Sequence, residues 1–170
     1  MLELQQAPSE DACSWHHAER CATQWNGGVI HGYQSMIARF YDRQNTSNPL
    51  NGLPVSRERP LADALESAFD RKPFFCELVG ENGYNLLVGV GVRCGCVQYS
   101  KVDGGPPYLM ALPKGSPLDE QGSGYMEFVT GDTAAPVSRR YCLTIGTVVD
   151  VAAYFCKAGE RSQEVTWEEI

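Results

Sequence analysis

The sequence predicts an α+β fold: a curved antiparallel β-sheet of about five to six strands, run as a meander, with two or more helices packed on one face. Three observations predict it. From Pro73 onward apolar side chains recur at every second residue in short runs, and those runs are separated by clusters of Gly, Pro and Asn. Two stretches, after Pro60 and after Thr144, instead place apolar residues at helical spacing.

Residues 1 to 35 carry no sustained period and read as an irregular extension with one weak helix at about residues 10–24; the domain proper is read from residue 36 to 170. Met36 is an alternative start, with the first 35 residues then an over-extension. In Met36 to Tyr41, Ile37 and Arg39 alternate against Ala38 and Phe40, a pattern fit for a first strand. Between Gln44 and Arg59 a cluster of turn formers breaks any regular element. Pro60 then suits the first turn of a helix. Asp63 and Glu66 lie near its positive end, Leu61, Leu65, Ala68 and Phe69 share one face, and Lys72-Pro73 stops it.

The next stretch is a hairpin. Phe75, Glu77 and Val79 face opposite to Phe74, Cys76 and Leu78, and Asn82-Gly83 supplies a pair that accepts positive φ at both central positions of the turn. On the return strand Leu86, Val88, Val90 and Val92 share one face, while Gly89 and Gly91 open the other to close packing by a helix. Gly95 turns the chain into Cys96–Ser100, and Asp103 to Pro107 turns it into Tyr108–Leu112. Lys114 to Gly124 is a polar loop and Tyr125–Thr130 a strand. Gly131 to Pro136 is a further loop before an edge strand over Val137–Leu143, with Val137, Tyr141 and Leu143 inward. Thr144 stands where a helix N-cap belongs, Val148, Val151, Ala152 and Phe155 form the buried stripe, and Gly159 fits the C-terminal cap.

With 170 residues, 43% of them hydrophobic, the chain can bury one core, and two full domains are not expected. A net charge of −7 repels phosphate backbones, which argues against nucleic acid as the direct ligand, and a basic protein partner suits the chain better. Met1 to Asp11 has neither a basic n-region nor an apolar h-region, and no apolar run reaches the length of a membrane-crossing helix; the expectation is a cytoplasmic protein without a membrane partner. Self-association is left open.

Catalytic motifs are absent. Gly89 to Gly95 resembles a dinucleotide fingerprint only superficially, because strand signals follow where a phosphate-binding helix must begin. The seven cysteines form no CxxC pair, and Cys94-Gly-Cys96 reads as tolerated neighbours on a turn rather than a redox pair. All three histidines lie within the first 31 residues, away from any nucleophile on the predicted scaffold, and the zinc-deaminase signature is missing. Cys13, His16, His17, Cys21 and His31 hold enough soft ligands for a metal, but their spacing matches no established pattern. No metal or other cofactor is expected.

Asn85 to Gly91, Val97-Gln-Tyr99 and, most strongly, Ala152-Ala-Tyr-Phe155, Gly159-Glu-Arg161 and Val165-Thr-Trp167 carry a resemblance. From about Pro73 to Ile170 the chain resembles the first-numbered immunity family of bacterial polymorphic toxin systems, in its central hairpin, its helix, its Gly-x-Arg-Pro turn and its terminal Val-x-Trp. Ser162 stands where that family usually has proline, which loosens the turn without removing it. Phe155, Gly159, Arg161 and Trp167 are thereby the structural family motif, with Trp167 expected to plug the core beside Phe155 and Leu86.

The resemblance implies a non-enzymatic immunity protein of interbacterial competition, by contact-dependent or type VI delivery. Such a protein binds a cognate toxin, of the deaminase or another nucleic-acid-targeting kind, and covers its active site. An acidic face can imitate the toxin's substrate and steer association. The contact residues expected on that basis are Glu81, Asp103, Tyr108, Asp119, Glu120 and Asp132, all in turns. Two other readings stand beside this one: a small metal- or thiol-dependent enzyme built on Cys13, His16, His17 and Cys21, and a general regulatory or adaptor module.

Overall fold

Alternation of β-branched and aromatic residues from Phe74 to Lys101 builds the centre of one large sheet. The computed structural model describes residues 38–55, 61, 65, 72–91, 94–115 and 124–170. The expected N-terminal extension, its Cys and His cluster, and Asp119 and Glu120 lie outside these residues. The described strands are β1 (Ala38–Asp42), β2 (Pro54–Val55), β3 (Phe74–Gly80), β4 (Tyr84–Val90), β5 (Cys94–Lys101), β6 (Leu109–Pro113), β7 (Tyr125–Thr130), β8 (Thr133–Ser138), β9 (Leu143–Thr144) and β10 (Val165–Glu169), with helix α1 at Ile145–Ala158. They join in the order β10-β6-β5-β4-β3-β1-β2, while β7 pairs with β3 and β8, and β9 with β5. All pairings are antiparallel except the short parallel contact of β3 with β7, Phe74↔Val129.

The fold is therefore mostly β, with ten described strands rather than five or six and one bounded helix among the described residues rather than two or more. Of the helix expected after Pro60, Leu61 and Leu65 are described; both have helical backbone and are buried in the main core. The undercount of strands has a local cause. β2 and β9 span two residues each, too few to show a period, and β8 carries Pro136 among small residues that read as a loop.

One face of the sheet holds the main core. Phe74, Cys76 and Leu78 of β3, Leu86, Val88 and Val90 of β4, Val97 and Tyr99 of β5, and Leu109 and Ala111 of β6 pack there against Val148, Val151, Ala152 and Phe155 of α1. The helix forms as its sequence dictates. The Thr144 hydroxyl accepts from Thr147 N at 3.2 Å, and Gly159 ends the helix at φ 72°, its N–H donating to Phe155 O. Burial of its large apolar side chains contributes about 1.5–3 kcal/mol each.

The opposite face carries a second core of Phe75, Cys96, Met110 and Phe128, with Met126, Val137 and Tyr141 packed at its margin. Its cover is the β7–β8 hairpin, not the helix expected against Gly89 and Gly91. A Cβ on Gly89 would lie 2.8 Å from the Phe128 ring and 2.6 Å from Cys96 Sγ, so only glycine lets β7 approach this closely. Phe128 is fully buried, its ring centroid 4.9 Å from that of Phe75.

The β3–β4 turn also differs from expectation. No described non-glycine residue has positive φ, so of Asn82-Gly83 only Gly83, at φ 81°, is left-handed. Glu81, Asn82 and Gly83 form a three-residue connection, a turn closed by a left-handed glycine. The Asn82 side chain is engaged on both sides: Oδ1 accepts from Tyr84 N at 3.2 Å, and Nδ2 donates to Gly159 O at 2.6 Å. Gly95 lies inside β5 rather than at a turn, and the edge strand expected over Val137–Leu143 is divided among β8, a 3-10 turn at Arg139–Tyr141 and β9.

Candidate partner-binding surface

The antiparallel order of β3 to β6 brings two connections to one end of the sheet. Glu81 is exposed in the β3–β4 turn, and Asp103 and Tyr108 are exposed between β5 and β6; Val102 N donates to Gly83 O at 3.0 Å and ties the two turns together. The Asn82–Gly159 hydrogen bond holds the C-terminal end of α1 at this rim, and Ile170 N donates to Tyr108 O at 3.0 Å, which places the end of β10 there too. Exposed apolar side chains share the rim: Val102 at 47%, Tyr108 at 37% and Ile170 at 61% exposure. Asp103 also serves its own turn, its Oδ1 accepting from Gly105 N at 2.8 Å, while the Tyr108 hydroxyl donates to Gly104 O.

Three of the expected contact residues are thus gathered together. Asp132 is not among them: it is exposed in the β7–β8 turn, on the hairpin that meets β3 at its other end.

The family-motif residues form an aromatic cluster beside this rim. Tyr99 stacks on Tyr84 at 5.0 Å and meets Phe155 and Trp167 edge-on at 6.1 and 6.2 Å. The Arg161 guanidinium lies 5.8 Å from the centre of the Tyr99 ring. Burial, followed by the neighbouring Tyr84, raises the Tyr99 hydroxyl above its ordinary range, so it stays a neutral phenol. Trp167 is half-buried, packs on the main core, and donates from Nε1 to Ser162 O at 2.9 Å. Ser162 is itself buried and accepts from Glu164 N at 3.2 Å, so the turn holds without proline. Tyr99, Glu160, Arg161, Gln163 and Trp167 line an open cleft of about 530 Å³.

Two polar networks on the other face were not anticipated. Ser100 Oγ donates to Asn85 Oδ1 at 2.7 Å, Asn85 Nδ2 donates to Glu77, and Arg43 pairs with Glu77, a chain crossing β5, β4, β3 and the end of β1. Toward the far edge, Glu168 accepts from Arg140 and from the Tyr141 hydroxyl at 2.6 Å. The Tyr141 bond, with Arg140 adding to it, holds the Glu168 carboxyl below its ordinary range; burial, then Glu168, raises Tyr141. The only sequence signal for either network is polar residues at alternate positions between apolar ones.

The rim thus presents exposed apolar side chains among carboxylates, held on turns by backbone hydrogen bonds. The chain matches the family Immunity protein Imm1 over residues 43–169 and belongs to that family. It is an immunity protein, a non-enzymatic binder whose partner is a cognate toxin that it neutralises. No curated protein matches the chain.

Proposed function

We propose that this protein neutralises, in the cytoplasm, a nucleic-acid-targeting toxin domain of the deaminase type by covering its active site. Family membership supplies the toxin; the observation that carries the finer reading is charge. A toxin domain that grips nucleic acid presents a basic cleft, and this chain has a net charge of −7, with Glu81, Asp103 and Tyr108 together on one rim. Residues 36–170 carry the binding, and residues 1–35 are dispensable for it.

The test is co-expression with the toxin encoded beside its gene, scored by survival, together with deamination of a DNA substrate by the purified toxin domain. One equivalent of the protein, whole or lacking residues 1–35, should abolish turnover and restore growth. Equal killing with and without the protein overturns the reading. Inhibition of a toxin that acts on something other than nucleic acid overturns the substrate class alone.

A further inference from the structure

The sheet's outer strands are not alike. β2 is two residues long and contains Pro54, β8 contains Pro136, and residues 51–53 run hydrogen-bonded beside β1, with Phe40 N donating to Leu53 O and Gly52 N to Phe40 O. Short length, proline and a covering loop are the usual means by which an edge is closed to strand addition. β10 has none of them: five residues, Val-Thr-Trp-Glu-Glu, paired on one side only among the described residues.

Register determines which of its backbone groups are free. Ile170 N donates to Tyr108 O, so with Glu168 opposite Met110 and Thr166 opposite Leu112, Thr166 and Glu168 turn their N–H and C=O toward β6. Val165, Trp167 and Glu169 turn theirs outward. Pro113 opposite Val165 agrees, having no N–H to offer. The side chains of Val165 and Trp167 lie on the helix face, where the cleft beside Tyr99 opens next to this edge.

Charge selects the occupant. Three exposed carboxylates, Glu160, Glu164 and Glu169, outnumber the exposed cations Arg161 and Lys114 along this edge, and the carboxylates make no ion pair among the described residues. A second copy paired along the same edge would set this acidic group against itself, whereas a basic strand would meet its complement. We propose that the outer edge of β10 receives an extended basic segment of the cognate toxin as an added strand, with one side chain of that segment reaching the cleft, where Arg161 already covers Tyr99 and where Trp167, Glu160 and Gln163 remain open to it. The proposal rests on the toxin-binding reading above. Backbone hydrogen bonds to Val165, Trp167 and Glu169 give the affinity, and the cleft gives the choice of side chain.

The test uses the full chain and the catalytically inactivated toxin domain from the adjacent gene. Amide hydrogen exchange followed by NMR should show Trp167 and Glu169 exchanging freely in the isolated protein and slowed on binding, with Thr166 and Glu168 protected in both. Glu169→Pro removes an outward donor without touching the β6 ladder and should bind about tenfold more weakly than Glu169→Gln, the two compared at the same high salt concentration so that the charge both have lost cancels. A complex whose Trp167 and Glu169 amides stay unprotected, or a Glu169→Pro variant that binds as well as Glu169→Gln, overturns the proposal and leaves toxin binding standing. Concentration-dependent protection without toxin, with a dimer in sedimentation, also overturns it in favour of a second copy. No binding by the wild-type chain defeats the toxin reading itself, and this one with it.

Discussion

Replacing Gly89 with alanine tests the idea that the β7–β8 hairpin closes onto bare backbone. Gly89 has no positive φ, so alanine suits the strand and on backbone grounds alone would stabilise it by roughly 0.5–1 kcal/mol. Space opposes this: the new methyl would lie 2.6 Å from Cys96 Sγ and 2.8 and 3.0 Å from two atoms of the Phe128 ring. Overpacking of that kind costs about 1–3 kcal/mol, so a net loss of about 1–2 kcal/mol is expected. Phe128→Ala alone, at a fully buried ring, should cost about 3–5 kcal/mol. In the double variant the ring clash is gone and the Cys96 contact remains, so the two losses should fall short of their sum by about 1 kcal/mol. Urea denaturation followed by tryptophan fluorescence measures all four corners of the cycle, provided the slope of stability against denaturant is unchanged. Strict additivity, or a neutral Gly89→Ala, would refute the packing argument.

Glu168→Gln should flatten the acid limb of stability. The folded carboxyl lies below its unfolded value, so its contribution is full above the ordinary carboxylate range and is lost as pH falls through the lowered value; urea midpoints across an acid pH series check this. Gly159→Ala forces an L side chain into φ 72° at the end of α1 and should cost about 1–2 kcal/mol in the same denaturation assay. Burial pushes the Cys156 thiol up to about 12, so iodoacetamide at neutral pH should label it only after unfolding, as peptide mass mapping would show. Asp103, Asp119 and Glu120 replaced together by lysine should slow toxin association about tenfold and reduce its salt dependence in stopped-flow measurements; unchanged rates would remove these positions from steering.

Local chemistry was legible where it acts within a few residues. Thr144, the stripe Val148, Val151, Ala152 and Phe155, and Gly159 define α1 from end to end, and the alternation from Phe74 to Val90 defines the central hairpin. What escaped depends on partners distant in sequence. β3 is buried at nearly every position because it has a core on each side, which blurs the inside and outside that alternation encodes. The glycines at 89 and 91 announced close packing, but the expected packer was a helix, and a strand distant in sequence, β7, is the one that arrives. β10 was visible only as a tryptophan-bearing tail, because a strand of Val, Thr, Trp and two glutamates has too few apolar residues to show a period. The gathering of Glu81, Asp103 and Tyr108 follows from strand order, which periodicity does not encode, and Asp132 failed to join them for the same reason.

Having a packed layer above and below the middle strands separates two demands on the sequence. Substitutions at Val88, Cys96 or Val97 disturb interior contacts, whereas Glu81, Asn82, Val102, Asp103 and Tyr108 can change with little consequence for folding, apart from the hydrogen bonds that hold each turn. On the binding surface proposed above, a lineage confronted with a new poison can rewrite these turns while the scaffold stays constant, and each rewriting begins from a molecule that already folds.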